Sequence, residues 1–218
     1  MKNYSTGLST KKRILETAKT LFYRNGYLST TFAEICKVSN VNPGTFTYHF
    51  GSKRKIALNI NKEILLHFTD ISETLFPTED ELQQVMLSFA LDFKFLFQDS
   101  PYRRFSAQLS SEALYDDLVE DYIKFVPKAY SITRKNLNEK QSDFFFAAFM
   151  GMDSYIKTYI DRHIDTLTFE ETITYCFELY YSFISHKELK KRIEKTLQLI
   201  QNTKISSDGF AISVEITH

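Results

Sequence analysis

Apolar residues recur at three- and four-residue intervals along almost the whole chain. That is the spacing of one face of an α-helix, and breaks in the rhythm divide the sequence into a series of helices. Ile14, Leu15, Ala18, Leu21 and Phe22 form the first stripe, predicting a helix from Thr10 to Asn25-Gly26, where glycine is the expected stop. Thr31 followed by Glu34 has capping-box spacing, so a second helix is predicted from Phe32, with Phe32, Ile35 and Cys36 on its inner side. It ends at Ser39-Asn40, because asparagine tolerates the left-handed conformation of a sharp turn, and Val41 then fills the angle. Asn42-Pro43 restarts a short third helix: Asn caps well, and Pro at the first helical position loses nothing by lacking an N–H. Ser52 caps a fourth, long helix in which Ile56, Ala57, Ile60, Ile64, Leu65, Phe68 and Ile71 continue toward Phe76-Pro77.

Beyond Pro77 the helical rhythm persists. Thr78 with Glu81 predicts a second capping box for a helix carrying Phe89, Phe93 and Phe97, and Ser100-Pro101 caps the next, with Tyr102, Phe105 and Leu109. From Asp116 a longer helix runs through Tyr122, Phe125 and Tyr130 and is expected to kink at Pro127. Ser142 opens FFFAAFMGMDSYIKTYI, apolar over much of its circumference, which implies burial on two sides. Thr168 and Glu171 start a helix with Ile173, Phe177, Tyr180 and Ile184, and KELKKRIEKTLQLI makes a charged amphipathic helix to about Gln201. The alternating FAISVEI after Asp208-Gly209 permits an edge strand, but its terminal position favours disorder. The expected organisation is a flexible arm over 1–9, a three-helix head over 10–55, a helical body over 56–201 and a disordered tail over 202–218. The fold class is all-α.

Composition sharpens this division. A hydrophobic content of 43% suffices for a sizeable core, no stretch is long and apolar enough to span a bilayer, and Met1 to Ser9 lacks the apolar run of a signal peptide. A cytoplasmic location is expected. Cys36 and Cys176 sit in different predicted helices without metal-ligand spacing, and read as small buried apolar residues. Net charge is zero, yet residues 1–60 hold ten Lys or Arg against Glu16 and Glu34, which is +8. Residues 61–218 then hold 17 basic and 25 acidic groups, which is −8. A basic head on an acidic body suits a head that meets phosphate.

The third helix supplies the chemistry for that meeting. Phe46 and Phe50 point one way, while Gly44, Thr45, Thr47 and Tyr48 lie around the other side. In a helix-turn-helix the second helix enters the major groove, and small residues at its start let the backbone approach base edges. Asn42, Pro43, Gly44, Thr45 and Thr47 are the candidates for base contact or close approach; Thr31, Tyr48, His49 and Lys53 are the phosphate candidates. The segment VNPGTFTYHFGSK resembles the recognition helix of the TetR family of bacterial transcription regulators, whose typical wording is close to VSKGTLYYHFPSK. Gly44, Thr45, Tyr48, His49, Phe50, Ser52 and Lys53 match as they stand, and Phe46 replaces a leucine of similar role. Thr47 departs from the usual aromatic and Pro43 from the usual basic or polar residue, which bears on base specificity rather than fold.

For the body, the resemblance implies a small-molecule effector and a homodimer whose interface is a four-helix bundle from the last two long helices, here those beginning near Ser142 and Thr168. Phe89, Phe93, Phe105, Tyr122 and Phe125 are the candidate walls of an effector pocket. Catalysis has little support, since the chain has no P-loop, dinucleotide fingerprint, nucleophile elbow or His-Glu zinc pattern. No catalytic residue, metal ligand or cofactor is assigned. The expected function is a ligand-responsive repressor that binds a palindromic double-stranded DNA operator as a homodimer, without a membrane. Two alternatives stand beside it: a regulator answering to a protein partner, and a helical enzyme or carrier with a vestigial head.

Overall fold

Side-chain caps and apolar stripes set the elements much as their spacing implies. The computed structural model describes residues 2–112, 132, 137–182 and 185–217. The head comprises α1 (Lys2–Asn25), α2 (Phe32–Val38) and α3 (Pro43–Phe50), and α4 (Lys53–Leu75) leads from it. Among the described residues, the body holds α5 (Glu81–Gln98), α6 (Ser100–Glu112), α7 (Glu139–His163), α8 (Phe169–Tyr180) and α9 (His186–Gln201), with a 3-10 turn at Ile164–Thr166. Strands β1 (Thr203–Asp208) and β2 (Ala211–Ile216) close the chain as an antiparallel hairpin in which Thr203 faces Ile216 and Asp208 faces Ala211. The helix expected from Asp116, with Tyr122, Phe125 and Pro127, lies outside the described residues. So does Ile184. Among the described residues no helix is long and apolar enough to cross a membrane.

Four boundaries differ from the sequence reading. Helix α1 starts at Lys2 rather than Thr10, so its backbone is helical where an arm is expected; no proline interrupts that stretch, and propagating an existing helix is cheap compared with nucleating one. Helix α5 is capped by Asp80, whose carboxylate accepts from Gln83 N at 3.1 Å, while Thr78 only accepts from Asp80 N in the turn before. Asp99, not Ser100, caps α6 by accepting from Tyr102 N at 2.7 Å. Helix α7 opens one turn before Ser142, in a capping box of Asn138 and Gln141. The tail is a hairpin rather than disordered. Its two-residue connection starts at Gly209, where φ is +65°, a conformation that glycine adopts without steric cost.

One apolar core runs through head and body. Phe46 packs edge-on against Phe32 at 4.6 Å, holding α3 to α2, and Phe22 of α1 stacks on Phe105 of α6 at 5.8 Å, joining head to body. Both cysteines are free and buried. Burial pushes the Cys36 thiol up and takes Cys176 up to about 12. Native protein at pH 8 is therefore expected to resist iodoacetamide at both positions, with both alkylated in denaturant; mass spectrometry of the two samples checks this, and labelling of the native fold at either thiol would contradict it.

Candidate nucleic-acid interface

The helix-turn-helix is built from short-range bonds that its sequence encodes. Thr31 Oγ1 accepts from Glu34 N at 3.1 Å, and the Glu34 carboxylate reaches back to Thr31 N at 3.5 Å. Asn40 adopts φ of 51° at the turn, and Val41 N donates to Cys36 O at 3.0 Å. Asn42 Oδ1 then accepts from Thr45 N at 2.8 Å to open α3. Arg13 of α1 holds the same turn by donating from Nε to Ser39 O at 2.9 Å. Each bond satisfies an end group that helices leave without an internal partner.

These bonds present one face of α3 to solvent. Asn42, Pro43, Gly44, Thr47 and Tyr48 are exposed, Tyr48 at 85%, while Thr45 and His49 are half-buried and Phe46 and Phe50 are buried. Thr31 is exposed at the start of α2. A methyl group added at Gly44 would meet only Asn42 Oδ1 at 3.4 Å, so the fold does not require glycine there. What glycine provides at Gly44 is a bare stretch of backbone facing outward. The structure thus leaves the expected base-contact and phosphate residues exposed or half-buried, with Lys53 the one whose donors are already engaged. Its ammonium donates to Tyr27 O at 3.0 Å and Thr30 O at 3.1 Å and lies 4.2 Å over the Tyr27 ring. Two of its three donors are therefore bound to the α1–α2 connection, leaving one for a phosphate. Lys55, which the sequence reading passes over, is exposed beside Gly51. Its position within Lys53-Arg54-Lys55 was the available signal.

The head is fixed to the body through the C-terminal end of α1. Arg104 of α6 donates to Tyr23 O at 3.1 Å and Arg24 O at 2.8 Å, and Gln108 Oε1 accepts from Leu28 N at 3.0 Å. Gly26 lies between them with φ of +86°, and a Cβ there would come within 2.8 Å of Gln108 Oε1. A side chain at Gly26 would thus be strained and would push the two parts apart.

Within the body, charged groups are buried together. Lys157 of α7 lies 3.1 Å from Asp153 on its own helix and 3.5 Å from Asp92 of α5. Tyr102 of α6 donates to Asp92, and Tyr180 of α8 donates to Asp153 at 3.2 Å. Burial pushes the Asp92 carboxyl above its usual range against the pull of Lys157; burial also works against the Lys157 charge, but the two carboxylates together outweigh it and raise the ammonium. Of the expected pocket walls, Phe89 packs edge-on against Phe149, Phe93 is fully buried and Phe105 stacks on Phe22. Tyr122 and Phe125 lie outside the described residues. A cavity of about 360 Å³ opens elsewhere, between α1, α4 and the hairpin, beside Lys19, Glu63, His67 and Ile212. Among the described residues no group of three or more His, Cys, Asp or Glu is arranged to hold a metal ion.

Comparison with known proteins follows the same division. Residues 14–60 match the model for bacterial regulatory proteins of the tetR family. Over 53 residues, 24% of this chain and 28% of the relative, the sequence is 43% identical to the HTH-type transcriptional regulator QacR of Staphylococcus aureus. Over 111 residues, 50% of this chain and 58% of the relative, it is 31% identical to IcaR of Staphylococcus epidermidis, a negative transcriptional regulator of the biofilm operon icaADBC. The matched stretches thus span less than two thirds of either relative. Full-length TylP, a TetR regulator from Streptomyces fradiae, has the same fold at a TM-score of 0.54 and 20% identity, over 88% of this chain and 96% of that one.

Proposed function

We propose, from the match of residues 14–60 to the model for bacterial regulatory proteins of the tetR family, that this chain is a member of that family and a cytoplasmic, DNA-binding transcriptional repressor acting as a homodimer. The observation that carries this reading is the outward face of α3, where a capped helix start, bare backbone at Gly44, and Thr47 and Tyr48 stand exposed on a basic head. Pro43, Gly44, Thr45, Thr47 and the Asn42 amide meet base edges, and Thr31, Tyr48, His49, Lys53 and Lys55 reach phosphates.

Exposed apolar side chains support the dimer. On α7, Phe144 is 79% exposed and Tyr155 70%, and with Ala148, Gly151 and Tyr159 they form a stripe at helical spacing. Tyr175 and Leu179 continue it on α8 at 61% and 53% exposure. Large exposed apolar groups in a stripe along a helix suit an interaction surface. A two-fold dimer joined there presents two copies of α3 and calls for a palindromic operator. Regulation follows by linkage: a small effector that binds better to a body conformation holding the heads at the wrong separation weakens DNA binding by the same factor.

Selection of bound sequences from a random duplex pool at two salt concentrations tests the reading. An enriched palindrome is the expected result. No enrichment, with residual binding abolished by salt, would reduce the head to an electrostatic contact.

A further inference from the structure

The C-terminal hairpin is rooted in the body and ends on the head. At its root, the buried Lys94 ammonium of α5 donates to Ile200 O at 2.6 Å and Thr203 Oγ1 at 3.1 Å, tying the end of α9 and the start of β1 to the body. At its far end, Ser207 donates to Asp99 Oδ2 at 2.6 Å, and the same oxygen accepts from Tyr23 of α1 at 2.7 Å. Asp99 also caps α6 through its other oxygen, so one carboxylate joins head, hairpin and body. Phe210, at the turn, packs edge-on against Tyr23 at 5.3 Å and at a tilt against Phe105 of α6 at 4.8 Å. Strand β2 reaches the long helix as well: Ile212 O lies 2.8 Å from His67 Nε2 of α4.

We propose that this hairpin is a positioning element for DNA binding, clasping α1 and α4 to the body and thereby setting how far apart, and at what rotation, the two heads of the dimer stand. The inference rests on the DNA-binding reading above. A segment serving only to cover the body would place all its contacts on body helices; here Ser207 and Phe210 also reach Tyr23 of the head, and Ile212 reaches His67 of the long helix. The cavity between α1, α4 and the hairpin leaves that junction incompletely filled. The hairpin's contacts there add to the Phe22–Phe105 packing and the Arg104 bonds in fixing the head's angle. Those contacts determine which spacing of operator half-sites the dimer accepts.

The test uses the full-length dimer and the palindrome it selects, with the centre of the duplex lengthened or shortened by one base pair. Such a change rotates one half-site by about a tenth of a helical turn relative to the other. Wild type is expected to lose affinity by roughly tenfold or more on these duplexes, on the scale of a single mismatch. The Phe210→Ala, Ser207→Ala double variant is expected to bind the natural spacing only a few-fold more weakly while its spacing penalty falls to roughly threefold or less. Helix content and dimer size stay unchanged, and Phe210→Tyr restores the penalty. Should the double variant fail to fold, Ser207→Ala alone, which removes the Ser207 contacts to Asp99 and Tyr23 and leaves Tyr23 on Asp99, carries the test with a smaller reduction. A wild-type penalty in the folded variants overturns the assignment of the hairpin. Failure of wild type to select any operator overturns the DNA-binding reading instead.

Discussion

Replacing Lys157 by methionine is expected to cost about 3–5 kcal/mol of folding stability, the range seen when one partner of a buried ion pair is removed. The reason is the company the ammonium keeps. Asp92 and Asp153 are each at most 5% exposed, and Lys157 is the cation that faces both, at 3.5 and 3.1 Å. Tyr102 and Tyr180 each donate one hydrogen bond to the pair of carboxylates, which satisfies lone pairs but neutralises no charge. Without Lys157 two carboxylates share a dry site, and both are driven toward the protonated form. The sign of the pH dependence follows. Carboxyl groups whose folded-state affinity for protons is raised contribute stability that is present below their unfolded range, near pH 4, and lost as pH rises through the folded value. The variant's deficit is thus largest at neutral pH and shrinks toward pH 5. Because the domain as a whole has a margin of about 5–15 kcal/mol, the effect is visible in urea unfolding at both pH values. A triple replacement, with Asp92 and Asp153 also made apolar, is expected to recover much of the loss. A Lys157→Met protein within about 1 kcal/mol of wild type at pH 7 would contradict the account. The network joins α5, α6, α7 and α8, while the opposite side of α7 carries the exposed Tyr155 and Tyr159.

That network illustrates what the sequence withholds. The caps of α2, α3, α4 and α8 are legible because each is an exchange between residues three apart, and local chemistry decides it. The caps of α5, α6 and α7 are misread for a physical reason: Thr78, Asp80, Asp99, Ser100, Asn138 and Ser142 all suit the role, and packing of the helix behind them decides which one takes it. The outward face of α3 is legible from its buried partners, Phe46 and Phe50. Pairings such as Asp92 with Lys157, or Tyr23 with Asp99, join residues far apart in sequence and leave no periodic trace. The hairpin did leave a trace, in Asp208-Gly209 followed by alternation. Seven residues of alternation weigh little without sight of the surface they cover. The aromatic residues assigned to an effector pocket show the converse limit, since Phe89, Phe93 and Phe105 have the composition of a pocket wall and the burial of a core.

Lys53 and Lys55 are expected to separate the two meanings of a lysine in a basic head. Lys53→Met removes charge-assisted bonds to Tyr27 O and Thr30 O and the cation over the Tyr27 ring, with an expected stability loss of about 2–3 kcal/mol. The loss falls on the connection that places α2 relative to α4, so affinity declines for all DNA sequences alike. Lys55 is exposed, and Lys55→Met is expected to leave the melting curve within about 0.5 kcal/mol of wild type. Its effect lies in the salt dependence instead: losing one phosphate contact per subunit lowers the slope of log K against log salt by about 0.9 per subunit. If the remaining N–H of Lys53 also meets a phosphate, its variant shows the same change of slope on top of the stability loss. The measurements are thermal unfolding without DNA and operator affinity at four or more salt concentrations. A Lys53→Met protein as stable as wild type would show that its carbonyl contacts do not hold the head together, and an unchanged slope in Lys55→Met would remove that residue from the DNA-facing surface.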